Sequence, residues 1–287
     1  MNFENPVLFL EISRIKCGVA KCVLPQQVFT VPQEFATEDE ILKHLKDTRE
    51  YQMVVDNGLE VYPFFTFVNR ILSKPTITPD VQFFVHKGCR KEFDVMRKIE
   101  REVLNGSIGL EDAREKLIRI EGRMFGYPDC CIENYIKGKT SLPAESKLIL
   151  EGIESGVFDD VLGAFLNSEV LSLPQFFTSG FYPCSIGCKR AVSVGKKIER
   201  WLGEARDVFR VRCMVNALHL IVAGYKASKG RGKFSEKVGR FYSGIESKKL
   251  ELIEIVQPHI SNLTAFTNHF IRRIADSFFE TEENQKN

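Results

Sequence analysis

The 287-residue sequence lacks several features that would place it quickly in a functional class. It has no run of 18 or more apolar residues, so no segment is predicted to cross a membrane as a helix. Its first residues, MNFENPVLFLEISRIK, put an acidic side chain before a very short apolar run, which is not the pattern of a signal peptide. There is no GxxxxGKS or GxxxxGKT motif, and neither a catalytic triad nor a carboxylate pair can be recognised. We therefore expect a cytoplasmic protein whose thiols stay reduced.

Cysteine, in contrast, is plentiful, because the sequence contains eight. In a reducing compartment, eight cysteines are more often metal ligands than a disulfide framework. Half of them lie in two similar motifs, FGYPDCCIENY and FYPCSIGCKRA. The cysteines of these motifs are Cys130, Cys131, Cys184 and Cys188. The other four show no spacing that indicates a shared site, and they are Cys17, Cys22, Cys89 and Cys213.

Both motifs have the local chemistry of a thiolate site. In each motif, a tyrosine–proline pair comes just before the cysteines, and proline stiffens the backbone there. Each motif then leads into a predicted helix, whose first amides carry partial positive charge and stabilise thiolates. Lys189 and Arg190, which follow Cys188 directly, act in the same direction. The two motifs therefore predict one metal or redox site.

Four thiolates can bind a tetrahedral zinc ion or an iron–sulfur cluster. Zinc modules usually pair their ligands as CxxC, whereas here an adjacent pair and a CxxxC pair are separated by 52 residues. Adjacent cysteines are expected to point in different directions, which suits two irons of one cluster better than one ion. We therefore favour an iron–sulfur cluster, with zinc as the alternative. Two further interpretations remain open. The cysteines could form a redox relay, or they could be ordinary semi-buried thiols, since cysteine is often buried without a role.

The combination of GYPDCC with a downstream YPCxxxC resembles an uncharacterised family of archaeal proteins, known as a domain of unknown function. The resemblance covers most of the chain and implies no established reaction. A looser similarity is to the cysteine-rich CCG domain of heterodisulfide reductases, which binds an iron–sulfur cluster through tandem cysteines and a later CxxC. Cys130 and Cys131 match the tandem pair, whereas Ile132 replaces the glycine. The spacing from Cys184 to Cys188 is one residue too long for that pattern.

Charge is nearly balanced over the whole sequence, at +2, but it is distributed unevenly. Residues 189–249 contain 16 Lys and Arg against 5 Asp and Glu, an excess of 11, which leaves −9 for the remainder. This asymmetry predicts an anionic partner, such as RNA or a phosphorylated substrate. A glycine-containing loop, KASKGRGK, adds four candidate anion-binding residues, although a solvated loop is the alternative. They are Lys226, Lys229, Arg231 and Lys233.

The pattern of the chain predicts an α/β N-terminal part followed by a mainly α-helical part, an α+β fold overall. We expect a small α/β domain over residues 1–88, a helical domain with the cysteine site over 89–280, and a frayed tail over 281–287. Strands are predicted over residues 26–32, 51–58 and 81–88. Helices are predicted over residues 37–50 and 61–72, and this alternation suggests a mainly parallel sheet.

Three further side chains are candidates for a ligand pocket. His86 ends a predicted strand, and in a parallel sheet such ends line the ligand crevice. Lys87 follows it and could bind an anion. Asp129, beside the cysteine pair, could act in proton transfer or support a ligand, or simply cap the following helix. The sequence therefore predicts a pocket of these three residues opening onto the cysteine site.

Overall fold

The computed structural model describes residues 6–25, 28–30, 37–70, 75–138, 183–185 and 187–203. The chain divides into two compact units, one of Val7–Lys139 and one of Met1–Pro6 with Thr140–Asn287. The elements up to Lys139 are the helices α1 (Pro6–Lys16), α2 (Glu38–Leu45), α3 (Arg49–Asp56), α4 (Arg90–Leu104), α5 (Leu110–Met124) and α6 (Asp129–Lys137), and the strands β1 (Cys22–Val23), β2 (Glu60–Val68) and β3 (Ile77–His86). In the other unit, the described residues contain the helix α7 (Lys189–Leu202).

The three strands form one antiparallel sheet in the order β1-β3-β2. The β2–β3 pairing sets Val61 opposite Val85, and the short β1 sets Cys22 opposite His86. The predicted mainly parallel arrangement is therefore wrong. From Arg90 onward every described helix or strand is a helix, and the predicted α+β fold class is confirmed.

Two N-terminal elements differ from the predictions, and the first differs because the sheet is buried on both faces. The predicted helix over residues 61–72 is wrong, since β2 occupies Glu60–Val68. Val61 packs into one core cluster and Phe64 into another, on opposite faces of the strand. With both faces covered, the alternation of polar and apolar residues that marks a strand is lost. The predicted strand over residues 51–58 is also wrong, because most of it lies in α3.

Local chemistry explains why α3 is a helix. Thr48 is its N-cap, and the Thr48 hydroxyl accepts the backbone N–H of Tyr51 at 3.3 Å. The helix predicted over residues 37–50 contains α2, where Thr37 and Glu40 form a capping box. Of the strand predicted over residues 26–32, the described residues 28–30 are not in a strand. Of these two threonine N-caps, Thr37 begins a helix that was predicted, whereas Thr48 begins a helix where a strand was predicted.

Two layers of helices cover the sheet within the Val7–Lys139 unit. One face packs against α1, α2 and α3, with Leu8 and Ile41 among the fully buried side chains. The other face packs against α4 and α5 through Phe84 and Phe93, whose ring centroids lie 5.2 Å apart. Spacings of three and four residues predict a core-facing stripe on α5, made of Leu110, Ala113, Leu117, Ile120 and Met124. This prediction is confirmed, with Leu117 fully buried. This second layer matters for the site because α5 leads directly into the first cysteine motif.

A buried ionic network fixes α4 and α5 to the end of β2. The carboxylate of Glu100 accepts the N–H groups of Phe67 and Val68 at 3.0 and 3.1 Å, where the β2–β3 register is irregular. Arg70 donates to Glu100 at 3.0 Å and to Glu121 at 3.1 Å. Buried charges of this kind are tolerated when each has a partner. The position of α5 is therefore set by charge as well as by apolar packing.

Several predictions fall outside what the structure describes. The KASKGRGK loop, with its four cations, and the tail over residues 281–287 lie outside the described residues. The domain boundaries over residues 1–88, 89–280 and 281–287 stay predictions. Within the described ranges, no helix has the length and apolar character needed to cross a bilayer.

Candidate metal centre

A tight turn at the end of α5 sets the position and direction of the first cysteine motif. Gly126 has a φ of 76°, the left-handed conformation that ends many helices. Its N–H donates to the carbonyl of Arg123 at 3.1 Å, and the N–H of Tyr127 donates to the carbonyl of Gly122 at 2.8 Å. These two bonds are the Schellman pattern, which satisfies the last carbonyls of α5. The chain therefore reverses sharply and enters α6 three residues after the glycine.

This turn is pressed against the connection between α1 and β1. A Cβ atom at Gly126 would lie 1.9 Å from the carbonyl oxygen of Val19, so only glycine fits there. The N–H of Lys21 donates to the carbonyl of Met124 at 2.9 Å. Arg14, 3% exposed, donates to the carbonyl of Phe125 at 2.8 Å. The backbone before the cysteines is thus held by contacts on two sides.

Arg14 also orders the aromatic part of the motif. Its guanidinium lies 5.5 Å from the centroid of the Tyr127 ring, within range of a cation–π contact. Its charge is balanced by Glu11, which accepts a hydrogen bond from it at 2.7 Å. A buried arginine with these partners is costly to displace. The tyrosine–proline pair is therefore fixed in place by a side chain more than a hundred residues earlier in the sequence.

Cys130 and Cys131 lie in the first turn of α6. Pro128 is the N-cap residue, and its carbonyl accepts the N–H of Cys131 at 2.9 Å and that of Ile132 at 3.1 Å. Cys131 is 1% exposed and Cys130 is half-buried. Their Sγ atoms are 3.9 Å apart. The two adjacent side chains therefore converge, contrary to the expectation that they point in different directions.

Cys184 and Cys188 approach each other through a turn rather than a helix. The N–H of Cys188 donates to the carbonyl of Ser185 at 3.2 Å, which closes a tight turn. Cys188 is the residue before α7, and its carbonyl accepts the N–H of Val192 at 3.0 Å. The helix predicted after each motif is confirmed. Both motifs therefore bring a cysteine to the start of a helix, where partial positive charge favours a thiolate.

The ligand atoms of the two motifs come together. The four Sγ atoms of Cys130, Cys131, Cys184 and Cys188 all lie within 4.8 Å of one another. In a tetrahedral zinc site with Zn–S bonds of about 2.3 Å, neighbouring sulfurs are about 3.8 Å apart. These four cysteines could therefore bind a metal ion, as the sequence predicted.

Electrostatics around α7 fits a negatively charged centre. Lys189 and Arg190 are exposed in the first turn of α7, where the helix dipole disfavours cations. Four thiolates around a divalent ion carry a net charge of about −2, which would offset that repulsion. The role of Lys189 and Arg190 as anion-binding residues stays a prediction.

The acidic residues next to the first cysteine pair connect α6 to α5. Asp129 accepts from Arg123 at 3.2 Å, and Glu133 accepts from Arg119 at 2.8 and 3.2 Å. The hydrogen bond from Arg119 lowers the pKa of Glu133. Asp129 does not cap α6, because Pro128 is the N-cap residue. Its contacts explain how the helix that carries the cysteines is held.

The other two predicted pocket residues, His86 and Lys87, make contacts within the fold of the Val7–Lys139 unit. His86 is 1% exposed, lies edge-on to Phe93 at 5.1 Å, and accepts the N–H of Cys89 through Nδ1 at 3.4 Å. Burial lowers its pKa. Lys87 is exposed, and its N–H donates to the carbonyl of Lys21 at 2.9 Å. A pocket of these residues with Asp129 stays a prediction, but its premise of parallel strand ends is wrong.

Sequence patterns missed a second pair of thiols. Cys22 and Cys89 are both 0% exposed and belong to one core cluster, and their side chains share a hydrogen bond. Burial raises the pKa of Cys22 well above its ordinary value, and the bond from Cys22 lowers the pKa of Cys89. No motif connects two residues 67 positions apart, and the pair appears only in the fold, where β1 sets Cys22 opposite His86, three residues before Cys89. Gly126, in contrast, could have been found as a glycine just past the end of α5.

Comparison with known proteins places the chain in a family without assigning a reaction. No curated protein sequence matches it, and no solved structure does. The similarity to the CCG domain of heterodisulfide reductases stays a prediction. The family model described as "Protein of unknown function (DUF483)" matches residues 72–216, just over half of the chain, and this range contains all four clustered cysteines. The chain therefore belongs to the DUF483 family of proteins of unknown function.

Proposed function

We propose that this protein is a zinc-stabilised binding protein, in which the four clustered cysteines bind one metal ion and a basic surface binds an anionic partner. The observation that carries the proposal is the convergence of four Sγ atoms to within 4.8 Å. Four thiolates complete a tetrahedral shell and leave no open position, which is typical of structural rather than catalytic zinc. Reduced thiols are needed for such a site, so a cytoplasmic location is part of the proposal.

The sulfur spacing favours a single ion over a cluster. The 3.9 Å between the Sγ atoms of Cys130 and Cys131 is close to the edge of a zinc–thiolate tetrahedron, about 3.8 Å. In a cubane cluster each thiolate binds a different iron, so the four sulfurs must lie farther apart. The iron–sulfur cluster favoured from the sequence is the second candidate, supported by the tandem arrangement of these two cysteines. It requires the four side chains to spread.

The anionic partner is inferred from charge. Residues 189–249 contain 16 basic against 5 acidic side chains, and the described start of this stretch exposes its lysines and arginines on α7. Polyanions such as RNA bind such surfaces by releasing counterions, with affinity that falls steeply as salt is raised. A phosphorylated small substrate is the other outcome that a binding experiment would distinguish.

Metal analysis of anaerobically purified protein tests the proposal. We expect colourless protein with about one zinc ion per chain, and an intensely coloured tetrahedral thiolate spectrum after replacement by cobalt. Cys184→Ser should lower the metal content severalfold and the thermal midpoint with it. Cys17→Ser is the matched control, because Cys17 is half-buried but not among the four.

Each alternative has a distinct readout. A brown preparation that contains iron and acid-labile sulfide would show that the four cysteines bind an iron–sulfur cluster rather than a zinc ion. Full-length protein that takes up neither zinc nor iron at stoichiometric level, with Cys184→Ser as stable as wild type, would contradict a metal centre.

A further inference from the structure

The exposed face of α7 has an ordered arrangement of charge. Five basic side chains of this 14-residue helix are exposed: Lys189, Arg190, Lys196, Lys197 and Arg200. Its buried side is made of small and aliphatic residues: Ala191, Gly195, Ile198 and Leu202. At 3.6 residues per turn, the basic positions fall opposite the buried ones. The helix therefore presents one basic face to solvent, and its one acidic residue, Glu199, lies at the flank and is half-buried.

The basic face consists of two parallel rows. Residues at i, i+7 and i+11 lie nearly in line along a helix. One row is Lys189, Lys196 and Arg200. The second is Arg190, Lys197 and Trp201. A row of cations therefore runs beside a row that ends in an aromatic ring.

This arrangement is unfavourable for the helix by itself. Lys196 and Arg200 are four residues apart, a spacing at which like charges repel. Lys189 and Arg190 lie at the positive end of the helix dipole, where anions rather than cations are favoured. A thiolate-bound metal at Cys188 would offset the second cost but not the first. An external anion with several charges would relieve the repulsion along the face.

Trp201 restricts the kind of anion. It is the single tryptophan of the chain, and its side chain is 41% exposed, one turn beyond Lys197. An exposed indole beside cations is the arrangement with which proteins bind unpaired bases, by stacking on the ring while basic side chains contact the phosphates. In a duplex the base faces are covered by their neighbours, and inorganic polyanions have no rings to stack.

We propose that the basic face of α7, defined by its five cations and Trp201, binds single-stranded nucleic acid. The cations contact successive phosphates over about 16 Å of helix, and the indole of Trp201 stacks on one base. This inference rests on the proposed function, because Cys188, the residue before α7, is one of the four proposed metal ligands.

The single tryptophan makes the inference directly measurable. Titrating the metal-loaded full chain with a single-stranded oligothymidylate should quench tryptophan fluorescence, because stacking brings a base against the indole. Heparin, which has the charge but no bases, should bind without comparable quenching. A duplex of the same length should bind more weakly than the single strand. Equal quenching by heparin and oligonucleotide, or none with either, would overturn stacking on Trp201.

Variants on the two rows separate charge from stacking. With a labelled oligonucleotide followed by anisotropy, the double variant Lys196→Gln and Arg200→Gln should reduce the slope of log affinity against log salt by about 1.4, for two lost phosphate contacts. Trp201→Ala should weaken binding by about tenfold with the salt slope unchanged. The double variant Lys91→Gln and Lys116→Gln, at exposed positions of α4 and α5, removes the same charge elsewhere and should leave both quantities as in wild type.

The outcomes distinguish this inference from the proposed function. Metal-loaded protein that binds no oligonucleotide, or binds it equally well in all three variants, would overturn the inference and leave the metal centre standing. Protein that takes up neither zinc nor iron at stoichiometric level, yet still binds the oligonucleotide through α7, would contradict the metal centre and leave binding by α7 standing. Metal content measured on each variant shows whether the fold around the cysteines is intact.

Discussion

In the part of the chain that the structure describes, two groups of cysteines have surroundings that differ sharply. The four-cysteine group lies at the starts of α6 and α7, with three of its side chains half-buried and Cys131 buried. The second group, Cys22 and Cys89, is fully buried between the sheet and α4, among phenylalanine rings. The same residue type therefore occurs once beside backbone amides and basic side chains, and once in an apolar core.

The surroundings of the thiols, rather than the thiols themselves, decide which cysteines can bind metal. A metal ligand must be a thiolate, and helix starts with nearby cations stabilise that form. Burial does the opposite, and it raises the pKa of Cys22 well above its ordinary value. Two sulfurs are also too few for a closed tetrahedral shell. We therefore expect the core pair to be a packing element and the four-cysteine group to be the metal site.

The largest effect on stability and metal content should come from distorting the turn that positions the first motif. Gly126→Ala would place a Cβ 1.9 Å from the carbonyl oxygen of Val19, at a positive φ, so the turn must move. We expect a loss of about 3 kcal/mol or more in the free energy of unfolding, and loss of bound metal, measured by urea denaturation and elemental analysis. Gly187→Ala, in the second motif, is the matched control, because nothing lies within 4 Å of its added Cβ.

The paired glycine variants also test whether the two motifs are held differently. Gly187→Ala should change stability by no more than about 0.5 kcal/mol and keep full metal content. If both variants lose metal equally, the rigid contact with Val19 is not what positions Cys130 and Cys131. The first motif, with Gly126, would then be no more rigidly held than the second motif, with Gly187.

A smaller effect separates the two cysteine groups directly. Cys89→Ala removes a buried sulfur from the core and should cost about 1–2 kcal/mol of unfolding free energy, as other small core truncations do. Its metal content should equal that of wild type. Cys130→Ala removes a half-buried thiol and should lose most of the metal. Metal loss in Cys89→Ala with unfolding free energy unchanged would show that the core pair belongs to the metal chemistry after all.

The four-cysteine group could be predicted because its chemistry is local in sequence. Tyr127–Pro128 and Tyr182–Pro183 mark the two motifs, and adjacent or closely spaced cysteines need no knowledge of the fold to be noticed. The metal preference could not be derived in the same way. It rested on the directions of Cys130 and Cys131, and those depend on how α6 begins after Pro128.

Capping and one-sided burial made parts of the fold predictable, although the Thr48 cap of α3 precedes an apolar run that was predicted to be a strand. Thr37 and the stripe of α5 marked helices that the structure contains. The segment around Phe64 gave no clear period, because β2 is buried on both faces. The core pair of Cys22 and Cys89 depends on the register between β1 and β3, which no local pattern encodes.

The smallest predicted effect is a pH dependence of stability caused by His86, and it tests whether the core pair of cysteines has a purely structural role. His86 accepts the N–H of Cys89 through Nδ1, and burial lowers the pKa of His86 from its ordinary value of 6.5, with Glu60, Arg90 and Glu92 nearby. The folded state then resists protonation while the unfolded state does not. The contribution of His86 to stability is therefore present above about pH 6.5 and is lost as the pH falls through that value toward the lowered pKa.

His86→Asn tests this directly, since asparagine can keep an acceptor near the position of Nδ1 without titrating. Between about pH 7.5 and about pH 5.5, the unfolding free energy of wild type should fall more than that of His86→Asn, measured by urea denaturation at each pH. Identical profiles for His86→Asn and wild type would mean that His86 is hydrated in solution. The apolar enclosure of the core pair, and with it the contrast between the two cysteine groups, would then not hold.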